Sequence, residues 1–173
     1  MRKLGTLAAL GLAFAASGCG FHPLYGSSGA TAETMDKLSQ IYVDPIPQSL
    51  GYELRNELID LFDSSGRASE DSYRLHVTFT QKSEGVAVQN DAAITRYNDT
   101  MTITYVLSDM KGKEITKGVE TGLAAYNVVA SPYATLTAQK DADVRSAVDI
   151  AYRIRTNLAV YFAQEAKRAA SAK

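Results

Sequence analysis

Cys19 is the only cysteine in the chain, and its surroundings point to one chemistry. It follows Ala16-Ser17-Gly18 at the end of a short apolar run, Leu4 to Ala16, which Arg2 and Lys3 precede. A positive start, an apolar stretch too short to span a bilayer as a mature helix, and small residues at its end make an export signal. Small residues just before the cysteine suit a peptidase whose active site lies at the membrane surface. Cleavage before Cys19 leaves its thiol as the acceptor for a diacylglycerol and its amine for an N-acyl chain. This is the pattern of a bacterial lipoprotein, although Ala16 stands where Leu is commoner. Those acyl chains are the only added group expected, with no separate cofactor. Gly20 after the cysteine favours outer-membrane sorting, where Asp would favour retention in the inner membrane.

Little else in the chain could do covalent chemistry. An acylated Cys19 leaves no thiol for a disulfide or a metal site. The two histidines are His22 and His76. His76 falls on the polar positions of an alternating segment and reads as a surface residue. Neither has a neighbouring thiol, second histidine or placed nucleophile in the sequence. With no nucleophile elbow, metal set or paired-carboxylate motif, no catalytic residue, no metal site and no enzyme activity are expected. His22 belongs with Phe21, Leu24 and Tyr25 to an amphipathic stretch that would seat at an interface. The formal charge is −1, and losing Arg2 and Lys3 with the signal makes it −3. No strongly basic stretch recommends nucleic acid as a partner.

The segments that must hold these residues follow from periodicity. Residues 1–18 form the signal. Residues 19–37 read as a lipidated N-terminus and flexible tether, with Ser27 to Ala32 its most linker-like part. A single domain is expected over 38–173. Ser39 to Val43 reads as a strand, closed by Pro45 and Pro47. Leu50, Leu54, Leu58, Leu61 and Phe62 recur at helical spacing, with Ser49 as the expected N-cap. This leucine stripe is read as core. Gly51 weakens that helix by about 1 kcal/mol relative to Ala, which calls for a loose or closely packed first turn. Tyr73, Leu75, Val77 and Phe79 alternate with polar residues, as do Met101, Ile103, Tyr105 and Leu107. Asp109 to Lys113 is a hairpin turn. Ile115, Val119, Leu123 and Ala125 are expected to continue the buried face in a last strand reaching about Val129. A long loop then leads to a helix over about Thr137–Ala169, roughly 50 Å long, whose last turns should overhang. The result is an α+β two-layer sandwich, in the order strand-helix-strand-strand-strand-helix. Two helices cover one face of a four-stranded, mainly antiparallel sheet.

Three blocks carry a family resemblance. They are Cys19-Gly20-Phe21-His22-Pro23-Leu24-Tyr25-Gly26, then Ile94-Thr95-Arg96-Tyr97-Asn98, then Tyr126 to Leu136 continuing through Lys140-Asp141-Ala142. Together with Ile154-Arg155, Leu158 and Tyr161-Phe162, they resemble the lipopolysaccharide-assembly lipoprotein family LptE in its alphaproteobacterial form. The resemblance implies an outer-membrane lipoprotein, lipid-anchored on the periplasmic side. It implies a plug in the lumen of the β-barrel LptD that supports barrel assembly and lipopolysaccharide placement in the outer leaflet. Lipopolysaccharide, LptD and the outer membrane are thus the expected partners. A generic auxiliary subunit of another envelope lipid transporter is the alternative. Lipid A phosphates would be met by Arg or Lys at exposed strand ends. The candidates are Arg96, which lies in a resembling block, with Arg74, Lys82, Lys111 and Lys113. Pro132 and Tyr133 are the candidate barrel contacts.

Overall fold

The structure, a computed structural model, describes residues 29–63, 70–88 and 94–172. The elements are α1 (Gly29–Ser39), β1 (Ile41–Val43), α2 (Ser49–Phe62), β2 (Tyr73–Val88), β3 (Ile94–Asp109), β4 (Glu114–Asn127) and α3 (Pro132–Ser171). The strands form one sheet in the order β1-β2-β3-β4. β1 pairs with β2 in parallel over Ile41–Val43, because α2 carries the chain back before β2 begins. The other pairings are antiparallel. The α+β class and the order of elements after α1 agree with the periodicities.

The core lies between the sheet and the helices. Leu75, Val77, Met101, Ile103, Tyr105 and Leu107 line the inner sheet face, and Leu54, Leu58, Phe62, Ile150, Ile154, Leu158 and Phe162 meet them from α2 and α3. Each such side chain contributes roughly 1.5–3 kcal/mol when fully buried. Gly51 is closely packed: a Cβ there would lie 2.6 Å from Ile46 Cγ2. The N-cap of α2 is Gln48, not Ser49, and it makes no side-chain cap; its φ of 71° sits in the left-handed region.

Three features depart from the sequence pattern. First, α1 occupies part of the segment read as tether. Its Thr34 and Leu38 lie one helical turn apart and are both buried, while Met35 packs beside them. Two large apolar residues in eleven, Met35 and Leu38, give too faint a periodic signal to declare a helix. Second, α3 starts at Pro132, not Thr137. Ser131 caps it by accepting the Ala134 amide, and Pro132 suits the first helical position because no N–H is needed there. Its 40 residues span about 60 Å. Phe162 is its last buried residue, so residues 163–171 extend past the core.

Third, β4 is out of phase with the expectation. Val119 and Leu123 are 60% and 62% exposed on the open face, whereas Gly122 and Ala124 are buried against α3. The reason is close approach. A Cβ on Gly122 would collide with Ser146 Oγ and lie 2.6 Å from Ile150 Cδ1; one on Gly118 would collide with the Tyr105 hydroxyl. At Gly118, Gly122 and Ala124 the inner face of β4 has room only for small residues, and Val119 and Leu123 face outward.

Candidate interaction site

The face of the sheet away from the helices is built from the alternate residues of β2, β3 and β4. Register brings Thr78 opposite Thr104, Thr80 opposite Thr102, and Thr102 opposite Thr121. Lys82 lies opposite Thr100, which lies opposite Leu123. β-Branched threonine fits a pleated surface, and its hydroxyl keeps that surface wet. The outcome is a broad, hydroxyl-rich face flanked by Val119 and Leu123 at the β4 edge.

The candidate basic residues do not converge on it. Arg74 lies at one end, 3.5 Å from Asp44 and with its guanidinium 5.6 Å from the centre of the Tyr42 ring. His76 Nδ1 meets the same Asp44 carboxylate at 3.2 Å. Lys82 is eight residues along β2, about 27 Å away, and pairs with Glu84. Arg96 is exposed opposite Ala87, about 43 Å from Arg74. Lys111 and Lys113 occupy the β3–β4 turn at the Arg74 end. Both of their amides donate to Asp109 Oδ1 at 2.9 Å, and Gly112 takes φ 83°. They therefore fall at three places along the sheet: Arg74, Lys111 and Lys113 at one end, Lys82 midway and Arg96 towards the other. Among the described residues, no group of three or more His, Cys, Asp or Glu could hold a metal ion.

Pro132 and Tyr133 sit in the first turn of α3 and not in a loop. Tyr133 is 80% exposed, and Val129 and Leu136 beside it in sequence are also exposed. Thr135 Oγ1 accepts the Val129 amide at 3.1 Å and approaches the carbonyls of Val129 and Ser131. The segment before the helix is thus braced, and Tyr133 is held out on a rigid turn. A groove of about 340 Å3 between α2 and α3 adjoins Leu136, with Leu50, Glu53 and Val144 along it.

A buried polar cluster stands between the start of α3 and the sheet, and periodicity alone did not single it out. Asp99 is fully buried and accepts from Gln81 Nε2 at 3.2 Å, Gln139 Nε2 at 3.1 Å and the Ser83 hydroxyl. The same Gln81 amide reaches Asp143 Oδ1 at 3.1 Å, tying the helix to β2. Tyr126 stacks on Tyr97 at 5.7 Å nearby. Burial, then the Asp99 charge, pushes the Tyr126 hydroxyl above its ordinary pKa. Asp99 interrupts the inward apolar series Met101, Ile103, Tyr105, which was the available signal.

Burial pushes the Asp143 carboxyl above its ordinary pKa, with the Asp99 charge adding to it and the Gln81 hydrogen bond opposing. A carboxyl whose pKa is raised on folding binds its proton more tightly folded than unfolded. Stability therefore falls as pH rises through the folded value, and the ionised group is a cost at neutral pH. Asp143→Asn keeps an acceptor for Gln81 and removes the charge. Thermal melts should show the variant about 2–4 °C more stable at pH 7, with the difference vanishing as pH falls below the ordinary carboxylate value of 3.8. A difference independent of pH would refute this.

Cys19, His22 and the aromatic stretch around them lie outside the described residues. Among the described residues, no helix is long and apolar enough to cross a membrane.

Comparisons place this geometry among known proteins. No curated protein matches the chain significantly. The chain is similar to the crystal structure of a candidate lipoprotein from Caulobacter crescentus CB15, with 27% identity and a TM-score of 0.63 over 76% of this chain and 97% of that one. A minor lipoprotein from Acinetobacter baumannii shares the fold at 16% identity and a TM-score of 0.57, covering 70% and 92%. Rare lipoprotein B from Shewanella oneidensis does so at 13% and 0.52, covering 69% and 92%. The family model LptE, lipopolysaccharide-assembly, matches residues 38–159, from the end of α1 to within α3 and well over half of the chain. The chain belongs to the LptE lipopolysaccharide-assembly family.

Proposed function

We propose that this chain is an outer-membrane lipoprotein, acylated at Cys19, that seats as a plug in the lumen of the β-barrel LptD. There it supports barrel assembly and helps place lipopolysaccharide in the outer leaflet, as a scaffold and not as an enzyme. Family membership carries the lipopolysaccharide assembly role. The observation that carries the plug reading is the surface itself. A threonine-rich open face suits a hydrated lumen, and Tyr133, on a braced helix start, supplies a rigid amphipathic contact for the barrel wall.

The test is a detergent pull-down of the tagged, lipidated chain from outer membranes. Stoichiometric recovery of a large, heat-modifiable barrel supports the reading. Recovery of inner-membrane transport components in its place favours an auxiliary subunit of another lipid transporter. Tyr133→Ala should lower barrel recovery about tenfold, as expected of an aromatic anchor. Its melting temperature should hardly move, because the side chain packs on little of its own domain. Arg96→Glu should weaken lipopolysaccharide binding about fivefold in a titration of the purified domain, within the range of one exposed ion pair. Unchanged titration would remove Arg96 from the contact set.

A further inference from the structure

The first turns of α3 stand clear of the core. No residue from Pro132 to Asp141 is buried, and Ala142 is the first that is. Those ten residues span about 15 Å. A groove of about 340 Å3, lined by Leu50, Glu53 and Leu136, separates α2 from them. The bonds that brace the turn of Tyr133 join Val129 to Thr135 and Ser131 to Ala134. They fix the shape of that turn but not its direction, because both partners in each belong to the same stretch of chain. A helix end with few packed neighbours opens at little cost, so another contact must aim this one.

The buried polar cluster supplies that contact. Gln139 Nε2 donates to Asp99 Oδ2 at 3.1 Å, from a position about 9 Å along the helix from Tyr133. Asp99 is fully buried in β3, and its other donors are Gln81 Nε2 and the Ser83 hydroxyl of β2. Ser83 also shares a hydrogen bond with the Tyr126 hydroxyl of β4. The acceptor that Gln139 meets is thus itself fixed by the strands on either side. One helical turn further on, Asp143 Oδ1 accepts the same Gln81 amide at 3.1 Å. All three donors to Asp99 are neutral, and a hydrogen bond to a water-excluded carboxylate is among the stronger kinds. The sign of charge at position 139 therefore matters. A carboxylate there would face Asp99 and Asp143 together, whereas an ammonium group would bond to them.

We propose that Gln139 and Asp99 are positioning residues for the barrel contact: their hydrogen bond aims the first turns of α3 and so decides where Tyr133 is presented. The proposal rests on the reading that Tyr133 meets LptD. Two measurements test it. In the purified full chain, Gln139→Ala should accelerate amide exchange over Leu136–Gln139 about tenfold, Gln139→Glu more, and Gln139→Lys not at all, with Met101–Leu107 unaffected. A packing role would make Gln139→Glu and Gln139→Lys act alike, and equal effects overturn the proposal. Unchanged exchange in Gln139→Ala overturns it too, as does acceleration that reaches β3. The second measurement uses cells making the lipidated chain together with LptD, with a benzophenone side chain at Tyr133. The LptD cross-link should fall about fivefold in Gln139→Ala, further in Gln139→Glu, and keep its parental yield in Gln139→Lys. A cross-link whose yield ignores all three variants overturns the positioning role and leaves the barrel reading standing. Absence of any LptD cross-link from the parent chain overturns the barrel reading and the positioning role together, whatever the exchange shows of the hydrogen bond itself.

Discussion

Phe162→Ala should lower the stability of the domain by about 3–5 kcal/mol, the usual cost of removing a buried aromatic ring. Phe162 is the last buried residue of α3, and three parts of the chain meet on it. Its ring lies 5.2 Å from that of Tyr73 at the start of β2 and 5.6 Å from that of Tyr161. Lys37 Nζ of α1 stands 5.7 Å from its centre and 3.2 Å from Glu165 Oε2. Truncation removes the surface on which α1 rests. Amide exchange should therefore accelerate in α1 and in the last turns of α3 before it does in β3. Uniform acceleration would show that the ring supports the whole core and not this corner. Phe162→Leu should recover a good part of the loss, because volume matters more here than aromatic character.

Gly122→Val should cost about 3 kcal/mol by the opposite route, overpacking. In most strand interiors, replacing glycine with valine adds β propensity and removes backbone freedom from the unfolded chain. Here the new Cβ meets Ser146 and Ile150 on α3, so helix and strand must separate. Gly122→Ala should be milder but of the same sign. A urea melt of either variant that matched or exceeded the parent would mean that α3 can slide on β4 without penalty. That outcome would also weaken the explanation of the outward-facing Val119 and Leu123.

These two sites show what could be read in the amino-acid string and what could not. β2 and β3 announced themselves through Tyr73-Leu75-Val77 and Met101-Ile103-Tyr105, because one face of each touches a core and the other touches solvent. The α2 stripe was plain for the same reason. β4 misled because hydrophobic alternation rewards large apolar residues, whereas its inner face needs the absence of side chains at Gly118 and Gly122. Glycine carries no apolar signature, so close approach is silent in a periodicity. The outer halves of β2 and β3, from Gln81 and up to Thr100, were equally silent, since most of those residues are polar whichever face they take. Asp99 and Asp143 come together only when α3 lies over the sheet, 44 positions apart in sequence. The dispersal of Arg74, Lys82 and Arg96 follows from strand length, which alternation had underestimated.

The contact between Lys37 and Glu165 joins residues 128 apart. As the chain emerges N-terminus first, α1 appears early but has nothing to rest on until the last turns of α3 exist. The β2–β3–β4 meander, by contrast, needs only neighbours in sequence, and loop closure for it is inexpensive. The order of events is therefore set by topology. The antiparallel strands can assemble while the chain is still emerging, and the N-terminal end is fastened last. Refolding should show β3 protected in an early phase and α1 in a later one, with Glu165→Lys delaying only the second.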